Sequence, residues 1–159
     1  MAETPPLPAE PLVLVHRRPA EPPPAGGPVL RLCLTADERT RLRGLRHSLC
    51  GRALLLQLPR EQPLQPGEWL QGEDPADPPV RVEAAPEAVM VARAAGSLAL
   101  LQAAYHLGNR HVALQVESDR LVLLADPVLA NLLRHRGLHV EEHRAPFLPE
   151  GGAYGHSHG

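Results

Sequence analysis

Histidine is the residue of this 159-residue chain whose type and spacing suggest chemistry, and there are nine. Two of them flank a glycine in the stretch Tyr105-His106-Leu107-Gly108-Asn109-Arg110-His111. Two more, His156 and His158, alternate near the C-terminus, beyond Gly151-Gly152. Imidazole is a borderline donor that suits Ni²⁺, Cu²⁺ and Zn²⁺. Donors drawn from a turn and a loose tail make an open site that can release its ion, unlike a closed four-cysteine site. By residue type and spacing alone, His106 reads as a helix-end cation or packing residue, His111 as structural at a strand start, and His156 and His158 as a solvated tail, with metal ligation the open alternative for all four. Affinity should rise toward Cu²⁺ by the usual order, so such a set does not by itself select nickel. Cys33 and Cys50 have neither C-x-x-C nor zinc-type spacing and read as free thiols. His139, Glu141 and His143 share a strand face by alternation and read as a solvated edge. His16, His47 and His135 stand alone and read as surface residues.

The elements that must position these donors follow from pattern. The proline-crowded stretch 1–28 is expected to be largely extended and poorly ordered, with Leu12-Val13-Leu14-Val15 a possible edge strand. In 29–86, Leu30, Leu32 and Leu34 alternate with Arg31 and Cys33 as in a half-buried strand. Thr35 and Glu38 have the spacing of a capping box. Short strands follow at Arg52–Leu58, Glu68–Leu70 and Val80–Val82, the pattern of a small β-domain. From 87 to 145 the order is strand, helix, strand, strand, helix, strand. The first strand is Ala88–Arg93. Ser97 is placed as N-cap of a helix with stripes Leu98/Leu101/Tyr105 and Leu100/Ala104/Leu107, closed by Gly108 at C′. A strand over His111–Glu117, a tight turn at Ser118-Asp119 and a strand over Arg120–Ala125 come next. Asp126-Pro127 opens a second helix running to Gly137, and His139–His143 is the last strand. This is the order of a ferredoxin-like domain. The fold class expected is thus α+β, a small β-domain, a ferredoxin-like domain and a flexible tail over 146–159. Alternation sends Val112, Leu114 and Val116 toward the helices and His111 to the opposite, uncovered face of the sheet. A partner chain on that face would bring two copies of His111 to one two-fold axis.

Several classes are excluded. The net charge is −2, with no concentrated basic stripe, which argues against nucleic acid. Aromatics are 3%, so no stacking platform for RNA is expected on the sheet. No apolar run is long enough to span a membrane, and Met1–Glu10 lacks the basic-then-apolar order of a signal peptide, so a cytoplasmic place is expected. There is no H-E-x-x-H motif for a zinc hydrolase, no nucleophile beside a base and no phosphate loop. The chain is expected not to be an enzyme.

The stretch Tyr105 to Val112, followed by Leu114-Gln115, closely resembles the signature of the urease accessory protein E family, the UreE nickel metallochaperones. Asp126-Pro127-Val128-Leu129 to Gly137-Leu138 is similar to that family's second helix. Pro146-Phe147, Pro149-Glu150 and Gly152-Ala153-Tyr154-Gly155-His156 are similar to its C-terminal segment. Leu34 to Arg39 and Leu56 to Arg60 also fit, so the likeness runs from about Val29 to the end. The resemblance implies a partner- or peptide-binding β-domain and a metal-binding ferredoxin-like domain in a cytoplasmic homodimer. It implies delivery of Ni²⁺ for assembly of the urease metallocentre, in complex with the urease GTPase accessory protein and urease apoprotein. It places the interface ligand on His111 and tail ligands on His156 and His158. Pro127 stands where many relatives carry a histidine, and two tail histidines are too few for storage of many ions. The alternative reading is a non-catalytic cytoplasmic zinc- or copper-binding or metal-storage protein.

Overall fold

Alternating leucines become strands wherever a neighbour completes the hydrogen-bond ladder, and the chain divides into two units that each do this. The computed structural model describes residues 9–152. The first unit takes in the chain up to Cys33 together with Arg41–Glu83. It holds β1 (Leu12–Leu14), β2 (His16–Arg18), β3 (Leu30–Leu34), β4 (Arg43–His47), β5 (Ala53–Gln57), β6 (Trp69–Gln71) and β7 (Val80–Ala84). One sheet has the order β1-β5-β4 and the other β2-β6-β7-β3. Leu14, Leu54, Leu56, Leu58, Leu64, Leu70, Val80 and Val82 are fully buried, an aliphatic core.

Leu12–Leu14 is an edge strand as expected, parallel to β5. Another part of the proline-rich segment departs from expectation. His16–Arg18 pairs with β6, and Arg17 donates from Nε and Nη2 to the two oxygens of Glu68 at 3.0 and 2.9 Å. A bidentate, half-buried ion pair of this kind fixes the strand where proline alone would leave it loose.

The second unit comprises Leu34–Thr40 and the chain from Ala84. Its elements are a single 3-10 turn (Glu38–Thr40), β8 (Pro86–Arg93), α1 (Ser97–Asn109), β9 (Gln115–Val116), β10 (Leu121–Leu124), α2 (Pro127–His135) and β11 (His139–Pro146). The sheet order is β11-β8-β10-β9, with every neighbouring pair antiparallel. Alternation sorts its side chains. Met90 and Ala92 of β8 and Leu121 and Leu123 of β10 pack with Ala103 and Leu107 of α1 and Ala130 and Leu133 of α2.

The opposite face carries Val89, Val91 and Val122, and it is not bare. Ala36 and Phe147 pack on it. Phe147 is fully buried. The buried Arg39 guanidinium donates to Leu34 O at 3.0 Å and Phe147 O at 2.6 Å, tying the two covering segments together. The expectation that this face is left uncovered, open to a partner chain, is therefore corrected, because Ala36 and Phe147 of the chain itself pack on it. So is the start of the flexible tail. Leu148 N donates to Gln115 Oε1 at 3.0 Å and Glu150 N to Leu114 O at 2.6 Å, so the segment after β11 is held along β9. Replacing Phe147 by Ala should cost roughly 3–5 kcal/mol, read as a fall in the urea midpoint. A loss under about 1 kcal/mol would show that this face does not depend on it.

The three helix starts differ in their capping. The capping box forms at the 3-10 turn, with Glu38 N donating to Thr35 Oγ1 at 3.2 Å and Thr35 N to Glu38 Oε1 at 3.1 Å. Asp126 caps α2 with Oδ1, accepting from Val128 N at 2.8 Å and Leu129 N at 3.0 Å, with Pro127 in the first turn. The N-cap of α1 is Gly96, not Ser97, and no side chain caps it.

Candidate metal-binding site

Helix α1 carries more apolar surface than one sheet can cover. Leu98, Leu100, Leu101, Ala103, Ala104, Tyr105 and Leu107 extend around more than half its circumference. Ala103 and Leu107 are buried, with Leu100 and Ala104 packed beside them. Leu98, Leu101 and Tyr105, at 66%, 67% and 66% exposure, are left in solvent. The sequence pattern had shown this stripe but not which of the two adjoining stripes the sheet would take.

The C′ residue that closes the helix is His111, not Gly108. The C-cap is Arg110. His111 N donates to Gly108 O at 3.0 Å and Val112 N to Leu107 O at 3.1 Å. These are the two bonds of a Schellman motif, which requires a left-handed residue at C′. His111 is that residue, with φ 58°, and among the described residues it is the one non-glycine with positive φ. Helix α2 ends in the same way, with Gly137 N donating to Arg134 O at 2.9 Å and Leu138 N to Leu133 O at 3.1 Å. There the C′ residue is Gly137, at φ 82°. One fold thus uses the same turn twice, once with glycine and once with histidine. A Cβ in this conformation costs on the order of 1 kcal/mol.

His111 therefore does not begin a strand. The next strand, β9, is only Gln115–Val116, and the alternation that would send His111 across the sheet does not extend back to it. The exposed imidazole instead projects from a rigid helix-terminal turn whose C″ residue, Val112, packs on the core around Leu107. His106 lies in the last turn of the same helix, half-buried, edge-on to Tyr105 at 5.4 Å between centroids. A cation there also complements the helix dipole. His156 and His158 lie outside the described residues. Among the described residues no three His, Cys, Asp or Glu side chains stand ready-formed around a metal position. Cys33 is half-buried and Cys50 exposed, both free. The Cys50 thiol pKa is lowered chiefly by its hydrogen bond with Ser48 Oγ.

The site is thus a strained, exposed imidazole at the end of a helix with an uncovered apolar face. Comparison with known proteins supplies the family. The family model of the UreE urease accessory protein C-terminal domain matches residues 87–159, and that of the N-terminal domain matches residues 14–85. A urease accessory protein UreE of Synechococcus sp. (strain WH7805) is 54% identical over 153 residues, 93% of this chain and 85% of the relative. That of Parasynechococcus marenigrum (strain WH8102) is 55% identical over 131 residues, 82% of this chain and 87% of the relative. The UreE of Nostoc sp. (strain PCC 7120) is 45% identical over 129 residues, 81% and 87% of the two chains. The chain belongs to the UreE urease accessory protein family. Among the described residues no helix is long and apolar enough to cross a membrane.

Proposed function

We propose that this chain is a cytoplasmic, non-catalytic nickel carrier that binds Ni²⁺ as a homodimer and delivers it for assembly of the urease metallocentre. The observation that carries the reading is His111 at a left-handed C′ position, where glycine would be the stable choice. Strain held at an exposed imidazole points to use of the ring. The uncovered stripe Leu98, Leu101 and Tyr105 lies on the helix that ends at this residue, and a second copy docked there would bring two His111 rings near one axis. The β-α-β-β-α-β order and the strand order of the second unit support a ferredoxin-like domain as the platform. His156 and His158 supply further imidazoles, with His106 as an auxiliary donor. The urease GTPase accessory protein and urease apoprotein are the partners that this role requires.

The test is a calorimetric titration of the full chain with Ni²⁺. The wild type should take up one tight ion per two chains, and His111→Ala should lose it. Unchanged Ni²⁺ affinity in the variant removes the reading. Tight Zn²⁺ or Cu²⁺ binding without Ni²⁺ binding would favour the storage alternative.

A further inference from the structure

The first unit leaves a sheet edge open, and its side chains are basic. In the sheet β1-β5-β4, strand β4 pairs with β5 alone. The bonds beyond its two ends fix which residues face outward. Leu58 N donates to Leu42 O at 3.1 Å and Ser48 N to Arg52 O at 2.9 Å. In an antiparallel ladder, residues bonded to the neighbouring strand alternate with residues that are not. The register runs unbroken from Arg43 to His47, so Gly44 and Arg46 turn their backbone groups to β5. Arg43, Leu45 and His47 turn theirs to the open edge. Leu49, next in that series, donates its N–H to Arg31 O at 2.9 Å and closes the edge at one end. The side chains of Arg43, Leu45 and His47 are exposed. They share a face on which Leu45, Leu55 and Val13 stand side by side across the three strands. Leu45 is 53% exposed and Val13 38%, an apolar row that stops at the edge.

Arg46 guards this edge. Its guanidinium lies over Gly44, where a Cβ would meet Nη1 at 3.4 Å. Nη1 donates to Leu45 O at 2.7 Å, the acceptor that an added strand would use. Nε is shielded from water and has no partner among the described residues. Two other arginines of this unit have what Arg46 lacks. Arg17 gives Nε and Nη2 to Glu68, and Arg31 gives Nε and Nη2 to Glu83 at 2.9 and 2.8 Å. That fork matches a carboxylate in shape and charge. An N–H left shielded and unpaired is unfavourable. Once an incoming N–H takes over Leu45 O, the guanidinium can swing out and offer Nε and Nη2 to a carboxylate.

Charge selects the occupant. Arg43, Arg46 and His47 lie on one short strand with no acidic residue among them. Among the described residues neither Arg43 nor Arg46 has a carboxylate within ion-pair distance. A second β4 laid along this edge would crowd the arginines of two copies together, and like charges facing one another destabilise a strand pair. Charged edges deter pairing in general, but a strand of opposite charge turns the deterrent into recognition. We propose that the edge of β4 is a docking site for an extended acidic segment of a partner protein. The segment adds as a fourth strand, with carboxylates opposite Arg43 and Arg46 and an apolar side chain opposite Leu45. The two acidic residues stand three positions apart, because Arg43 and Arg46 lie on opposite faces. This surface belongs to the first unit and does not depend on metal binding at His111.

The probe is the synthetic peptide Thr-Thr-Glu-Val-Thr-Glu-Thr, blocked at both ends. It is added to the full chain while amide hydrogen exchange is followed by NMR. Without peptide, the amides of Arg43, Leu45 and His47 should exchange fast. With it, their exchange should slow about tenfold or more, while Gly44 and Arg46, already bonded to β5, change little. Replacing both glutamates by lysine should abolish the effect. So should methylation of the valine nitrogen, which removes the N–H that meets Leu45 O. Arg43→Glu and Arg46→Glu should each weaken binding on the order of tenfold or more. Arg43 is exposed, so its variant keeps the fold. Arg134→Glu makes the same charge change at an exposed position of the second unit and should leave binding unchanged. The proposal is overturned if the three amides are already protected without peptide, since the edge is then filled. It is overturned if the lysine or N-methyl peptide protects them as well, or if Arg134→Glu weakens binding as much as Arg43→Glu. Exchange unchanged at millimolar peptide would also overturn it, and Arg46 would then be a guard and nothing more.

Discussion

His111→Gly should make the metal-free protein more stable while weakening Ni²⁺ binding on the order of a hundredfold or more. The two effects have separate causes. Stability responds to the backbone, since His111 holds φ 58° in a turn whose counterpart after α2 is closed by Gly137. Removing the Cβ relieves a strain on the order of 1 kcal/mol. Part of this is offset because glycine frees the unfolded chain, leaving a net gain of roughly 0.5 kcal/mol. Affinity responds to the ring, and losing a ligand exceeds the 10- to roughly 100-fold effect of losing a group behind one. The comparison variant is His111→Ala, which lacks the ring but keeps a Cβ in the strained position and should show the metal defect without the gain. Urea unfolding must be followed with a chelator present, because bound metal stabilises the folded state by mass action. If His111→Gly unfolds at lower urea than His111→Ala, glycine is not the better residue at this turn and strain no longer argues for function.

How much of this was legible beforehand differs between backbone and surface. The strand over Leu30–Leu34, the capping box of Thr35 and Glu38 and the Asp126 cap formed as the pattern predicted, because each depends on residues within a few positions. The errors came where tertiary contacts decide. Gly108 has the right residue type to end a helix, yet α1 runs on by one residue to Asn109 and turns at His111, since the Schellman bonds bring Val112 onto the core beside Leu107. The face of the sheet assigned to a partner is covered by Phe147 and Ala36, which lie 111 positions apart (147 − 36) and which no local pattern could bring together. Conversely, the stripe Leu98, Leu101 and Tyr105 has an ordinary core period, and only the position of the sheet reveals that it is uncovered. The likeness to UreE chains singled out His111, but the conformation that sets this residue apart was outside what a sequence pattern can carry.

Leu101→Arg should convert the proposed dimer into a monomer without harming the fold. Leu101 is 67% exposed in the single chain, so a guanidinium there meets water and stability should change by no more than about 0.5 kcal/mol. In a two-fold assembly built on this face the same substitution appears in both copies. Two cations would then be brought toward one axis in place of two leucines, each contributing about 1.5–3 kcal/mol when fully buried. Desolvating an unpaired guanidinium adds several kcal/mol more. The combined effect on the order of 5 kcal/mol would raise the dimer dissociation constant by more than about a thousandfold, easily seen by light scattering at micromolar concentration. The linked consequence distinguishes this from a simple surface effect. If two His111 rings share one ion, the monomeric variant should lose the tight Ni²⁺ site although His111 itself is untouched, and high protein concentration should partly restore it. A variant that stays dimeric would exclude the Leu98/Leu101/Tyr105 face as the interface, whereas a monomer that keeps full Ni²⁺ affinity would show that each chain holds its ion alone.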